Sequence, residues 1–134
     1  MAKKIQMTAR IILGLIYFVF GLMGLAIALG LMKMPQQPMP QAAETFMKGI
    51  MAAGYFFPLL KVTEVVFGFL LFFRRTAPLA LVVLAPVTLQ IILFHTCLTP
   101  GAGNLILPFV MGVLHVAAMC AYGNLYQPLF LNRK

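Results

Sequence analysis

The sequence predicts an all-α integral membrane protein, a bundle of four transmembrane helices with a short outer interfacial helix. Three observations carry that prediction. Of 134 residues, 63% are hydrophobic and only 9% charged, with a mean hydropathy of +1.01; soluble domains average about 45–50% apolar and about 25% charged residues. The apolar residues gather in four runs, each close to the roughly 20 residues that a bilayer-crossing helix needs. The basic residues punctuate those runs with a one-sided bias. Lys3, Lys4 and Arg10 precede the first, Arg74 and Arg75 separate the second from the third, and Arg133 and Lys134 follow the fourth, so seven of ten share a side. The positive-inside rule then places both termini in the cytoplasm, the parity that four spans require. Four runs leave little chain over, so residues 1–134 form a single domain. A net charge of +8 would suggest nucleic acid in a soluble protein. Scattered between apolar runs, these charges read as topology signals, and the partner they imply is the lipid bilayer.

The first span covers residues 11–31. With its basic flank and Ala26-Ile27-Ala28 it imitates a signal peptide, but the apolar stretch exceeds the usual length of such a segment and reads as a retained span. Gly14, Gly21 and Ala28 recur every seven residues with Gly24 beside them, a stripe that admits another helix closely. It has two readings, packing within the chain and a homo-oligomer interface. Residues 33–40, with three prolines, cannot be helical throughout and form an outer loop. Residues 41–53 mix Glu44, Thr45 and Lys48 with Phe46, Met47, Ile50 and Met51, too polar to span and suited to an amphipathic helix at the outer interface.

The second span covers about 55–73, with Pro58 in its first turn. The third runs over about 77–97, with Thr76 as its expected N-cap and Pro86 as an expected kink. After the turn at 99–104 the fourth covers about 105–122, with Pro108 expected in its first turn. The apolar tail at 125–131 is expected on the cytoplasmic surface.

Ionisable residues at membrane depth are costly and are functional candidates by default. Lys61 and Glu64 lie three apart, on one helix face, at about 8 and 12 Å from the outer end by a rise of 1.5 Å per residue. A pair can stay charged where a lone group would neutralise, so the two form either a brace that fixes helix register or a polar site. Gln90 and His115 fall at a similar depth, about 10–13 Å, and with Glu64 are expected to form one polar layer. His95 lies five residues beyond Gln90, about 140° around an ideal helix, so the two share a face only if the helix is locally distorted. Cys97 and Cys120 form no Cys-x-x-Cys motif and fall at opposite depths, which argues against a disulfide. His95 and His115 differ in depth by about 10 Å on the same ladder, which disfavours a bis-His haem. Met32, Met34, Met39, Met47 and Met51 crowd the outer segment; with His95 and Cys97 they would suit Cu(I), but flexible packing at an interface is the plainer reading. Nothing resembles a phosphate loop, a nucleophilic triad or a dedicated zinc site, and no metal is assigned.

Several stretches resemble the DoxX family of small four-helix membrane proteins: GYFFPLLKVTE (54–64), RRTAPLALVVLAP (74–86), IILFHTCLTP (91–100) and AYGNLYQPL (121–129). The most specific parts are Gly54-Tyr55, Lys61-x-x-Glu64 and Phe94-His95. The chain departs where many members carry Asn (here Gln90), an acidic residue (Thr99) or Glu (His115), so the polar site carries over best at Lys61, Glu64 and His95. The resemblance implies a bacterial inner-membrane location. Relatives include subunits of a thiosulfate–quinone oxidoreductase, partners of oxidative-stress enzymes and, in a distant animal branch, a receptor chaperone. The leading expectation is therefore a redox-associated membrane protein. In it Tyr55, Lys61, Glu64, Gln90, His95 and His115 line a site for a quinone or similar small amphipathic molecule, beside other membrane or redox proteins. The alternative is a non-catalytic assembly protein, in which the Lys61–Glu64 pair is only a brace.

Overall fold

A computed structural model describes residues 1–131; Arg133 and Lys134, two of the charges that bear on topology, lie outside the described residues. The described residues form six α-helices: α1 (Ala2–Ala28), α2 (Gln41–Ala52), α3 (Phe56–Leu70), α4 (Ala77–Leu93), α5 (Ala102–Cys120) and α6 (Gly123–Phe130), with a π-helical turn at Phe94–Leu98 continuing α4. No strand occurs among the described residues. Three helical stretches are long and apolar enough to cross a membrane, Ala2–Ala28, Ala77–Leu98 and Ala102–Cys120. The fourth, α3, reaches that length only together with α2, from which it is bent by 89°. The expected amphipathic helix at 41–53 thus appears as α2, turned sharply at Gly54, whose φ of 74° lies in the left-handed region that favours glycine.

Boundaries differ from the expectation for local reasons. The first helix begins nine residues early, because its basic flank contains nothing that opposes helix. It ends at Ala28 rather than residue 31, because Gly30, at φ 74°, closes a Schellman cap. The Gly30 N–H donates to Ile27 O at 3.0 Å and the Leu31 N–H to Ala26 O at 2.8 Å. Thr76 does precede α4, but its backbone is helical (φ −97°, ψ −17°) and its hydroxyl donates to Leu70 O at 2.8 Å. It ties off α3 instead of capping α4, since a side-chain N-cap needs an extended backbone. α4 runs on through Pro86, and the break in its ladder comes later, at Phe94–Leu98. α5 starts at Ala102, where Asn104 and Leu105 N–H donate to Gly101 O, so Pro108 sits beyond the first turn and is buried. The tail folds as α6, and the Tyr126 hydroxyl fastens it to Pro78 O at 2.8 Å.

α1 packs along α3 and α5, and α4 along α5 and α3. The glycine stripe is what lets α1 and α3 close. A methyl group added at Gly14 would fall 3.0 Å from Gly68 O, and one at Gly68 would fall 2.9 Å from Tyr17 Cβ and Phe18 N. In a bilayer, where lipid is as apolar as leucine, such close approach is a principal source of helix association. The stripe is therefore filled inside the chain. The core gathers Leu13, Tyr17, Leu71, Leu81, Leu84 and Met111, while large apolar side chains on every helix remain exposed.

Candidate functional site

Two polar clusters occupy the bundle interior, and they differ in what they leave unsatisfied. The first begins with α3. Lys61 and Glu64 lie one turn apart, and Lys61 Nζ donates to both carboxylate oxygens, at 3.0 and 2.9 Å. Glu64 is 3% exposed. The ammonium also lies 5.5 Å from the centre of the Phe57 ring, a weak cation–π contact. The pair fits because α1 offers glycine opposite it. A methyl group at Gly21 would stand 3.1 Å from Glu64 Cβ and 2.9 Å from the Val65 nitrogen, and one at Gly24 would overlap the aliphatic stem of Lys61.

Lys61 and Glu64 open onto a cavity of about 360 Å³ between α1, α3, α4 and α5, lined also by Tyr17, Gln90 and His95 and otherwise almost entirely apolar. Gln90, Val87 and Phe46 line both this cavity and an adjoining apolar groove of about 710 Å³ between α2, α3 and α4. Volumes of about 300–1,000 Å³ with a few convergent polar groups are usual for small-molecule sites. Tyr55 stands in the groove, 70% exposed and edge-on to Phe56.

Gln90 and His95 both line the cavity although five residues separate them. The α-helical ladder holds from Gln90 to Phe94, and the π-helical turn follows it, where the Thr99 N–H reaches Phe94 O, five residues back. Side chains serve the loosened ladder: the Thr96 hydroxyl donates to Ile92 O at 2.9 Å and His95 Nδ1 bonds Ile91 O at 2.8 Å. A carbonyl only accepts, so Nδ1 carries the hydrogen, and in the neutral ring Nε2 is an acceptor. Nε2 has no partner among the described residues, and neither has the amide of Gln90, a residue exposed at the edge of the cavity. Compared with family models, with curated proteins and with solved structures, the chain finds no match in any of the three.

The second cluster is closed. The buried Tyr17 hydroxyl bonds the Thr88 hydroxyl, which meets His115 Nδ1 at 2.7 Å, and His115 Nε2 reaches Leu81 O at 2.9 Å. Because Leu81 O accepts, Nε2–H donates, and the Thr88 hydroxyl has one hydrogen to place between Nδ1 and Leu84 O, which lies 3.0 Å away. His115, 4% exposed, thereby joins α1, α4 and α5 and does not line the cavity. It does not join Glu64, which lines the cavity, in the one polar layer that the sequence suggests. Tyr17 and Thr88 were not expected to matter. Their signal was a hydroxyl inside an apolar run, weaker than a charge but subject to the same need for a partner.

Among the described residues no three His, Cys, Asp or Glu side chains converge as a metal site would require. Both cysteines are free and exposed. Met34, Met39 and Met47 lie with Glu44 and Lys48 around a separate hollow, and of these only Met47 also lines the cavity with His95.

Proposed function

We propose that the chain is a DoxX-like protein of the bacterial inner membrane whose cavity between α3 and α4 binds a quinone or similar small amphipathic molecule. The observation that carries this reading is the cavity itself: an ion pair, an exposed amide at its edge and a histidine with one unbonded ring nitrogen line an otherwise apolar space that shares lining residues with an apolar groove. The chemistry suits both redox forms. Lys61 can donate to a quinone carbonyl oxygen, and neutral His95 can accept a quinol hydroxyl at Nε2, with Glu64 exchanging protons through Lys61. Electrons would pass to or from a partner redox protein, so the chain is at most a subunit of a quinone-linked oxidoreductase system. The groove gives an acyl or isoprenoid tail its path. Lys3, Arg10 and Arg74 meet at the opposite end of the bundle, and the positive-inside rule supports a cytoplasmic side there.

The rival reading, a partner-holding assembly protein, draws on the glycine stripe and the kinked helices; α3 covers the stripe within the chain, which leaves that reading the kinked helices alone. The deciding experiment extracts protein purified in mild detergent and measures quinone by mass spectrometry. Near-stoichiometric quinone, lost in Lys61→Met with Glu64→Gln and reduced in His95→Ala, is expected. No quinone above that carried by an unrelated membrane protein would overturn the proposal.

A further inference from the structure

The cytoplasmic-side charges were read as topology signals, yet Arg10 does not behave as one. It is 4% exposed, it donates from one terminal nitrogen to the Tyr122 hydroxyl at 3.2 Å, and its buried Nε has no hydrogen-bond partner among the described residues. A guanidinium stays protonated in proteins, so burial here calls for an anion. The chain has two side-chain carboxylates in all, and both are engaged elsewhere, Glu44 with Lys48 and Glu64 with Lys61. Arg10 instead faces a cavity of about 390 Å³ that it shares with Lys3, Gln6, Arg74 and Tyr122. Three cations from the start of α1 and from the turn between α3 and α4 thus surround one space with a phenol and an amide.

We infer that this cavity is an anion site for a phosphate group, with Arg10 as the buried anchor and Lys3 and Arg74 as the outer clamp. The guanidinium fork matches phosphate oxygens in pairs, and basic pockets between membrane helices on the cytoplasmic side are suited to anionic headgroups. A phosphodiester of an anionic lipid and free phosphate share this chemistry. The site is separate from the outer cavity and stands whether or not that cavity holds a quinone.

The test uses the full chain in nanodiscs. In one arm, native mass spectrometry counts phosphatidylglycerol retained from mixed phosphatidylglycerol–phosphatidylcholine discs. In the other, inorganic phosphate is added to pure phosphatidylcholine discs and the thermal midpoint is followed against chloride at equal ionic strength. About one phosphatidylglycerol held per chain supports the site with a lipid as ligand. A rise in midpoint with phosphate supports it with a free anion. In either arm Arg10→Gln and, for a chain that must stay folded, the exposed-side pair Lys3→Gln with Arg74→Gln should weaken binding about tenfold, the scale of a lost charge-assisted hydrogen bond. No preference for phosphatidylglycerol together with no phosphate effect, or binding unchanged in the Lys3–Arg74 variant, overturns the inference.

Discussion

The chain has two carboxylates, and each pairs with a lysine on its own helix, in opposite surroundings. Glu44 and Lys48, four apart on α2, meet at 2.6 Å with side chains 51% and 75% exposed. Lys61 and Glu64, three apart on α3, meet at 2.9 Å with side chains 18% and 3% exposed. The geometry is nearly the same and the consequence is not. An exposed pair gives up little on separation, because water solvates both partners. A buried pair stays charged only because each partner answers the other, so losing one strands the second. Spacing along a helix identifies a pair; burial decides what it is worth.

The largest effect should come from breaking the buried pair on one side. Lys61→Met leaves Glu64 alone and should cost about 3–5 kcal/mol, measured as unfolding in mild detergent by circular dichroism. Adding Glu64→Gln should restore most of that loss. If the double variant folds but no longer retains ligand, the pair is a site; if ligand retention returns with stability, it is a brace.

The two histidines extend the same contrast. His115 uses both ring nitrogens, so His115→Ala removes two buried hydrogen bonds while Thr88 keeps Tyr17 and Leu84 O, and should cost about 1–3 kcal/mol at about 0.5–1.5 kcal/mol per bond, with no direct loss of ligand contacts. His95→Ala removes a bond on the π-helical turn and should cost about 1 kcal/mol while lowering ligand retention severalfold. Parallel unfolding and extraction measurements separate the two, and equal effects of both substitutions on retention would erase the distinction between closed and open clusters.

Smaller still are changes on α1 that reach the pair from behind. Gly21→Ala pushes against the Val65 backbone and should cost about 1–3 kcal/mol, as overpacking does. Gly24→Ala meets only the flexible stem of Lys61, so it should disturb stability less and ligand retention more, since the ammonium must shift. A larger loss of stability at Gly24 than at Gly21 would show that Lys61 is held more rigidly than its neighbours suggest.

These differences also mark how far the sequence could be read. Hydropathy and the prolines located α2, α3, α4 and α5 to within a few residues, and the spacing of Lys61 and Glu64 gave their pairing directly. What sequence could not supply was which side chains share a cavity. Gln90 and His95 line the same one although an ideal helix sets them about 140° apart, Gln90 from an exposed position that it also shares with the groove. Nor could depth alone separate His115 from the cavity, because a residue's face depends on how α4 and α5 roll against α1. Arg10 was legible as a charge but not as a buried one, since its burial depends on Tyr122, over a hundred residues away.

The smallest effect is expected at the exposed pair, and it sharpens the comparison because it should be visible in titration and not in stability. A hydrogen bond from Lys48, and then its charge, hold the Glu44 carboxyl below its ordinary value. A carboxyl depressed in the folded state contributes stability above its unfolded pKa and loses it as the pH falls through the folded value, so the contribution belongs to neutral pH and fades on the acid side. Water and salt screen it at this exposed position. Lys48→Ala should therefore move the Glu44 midpoint upward to the ordinary carboxylate range, followed by carbon-detected NMR. Salt near 1 M, where the screening length is about 3 Å, should do part of the same. The unfolding midpoint at neutral pH should not move in either case. Were Lys48→Ala to destabilise the protein as Lys61→Met does, α2 would have to be packed in a setting much drier than the exposure of its ion pair indicates, and the contrast between the two pairs would collapse.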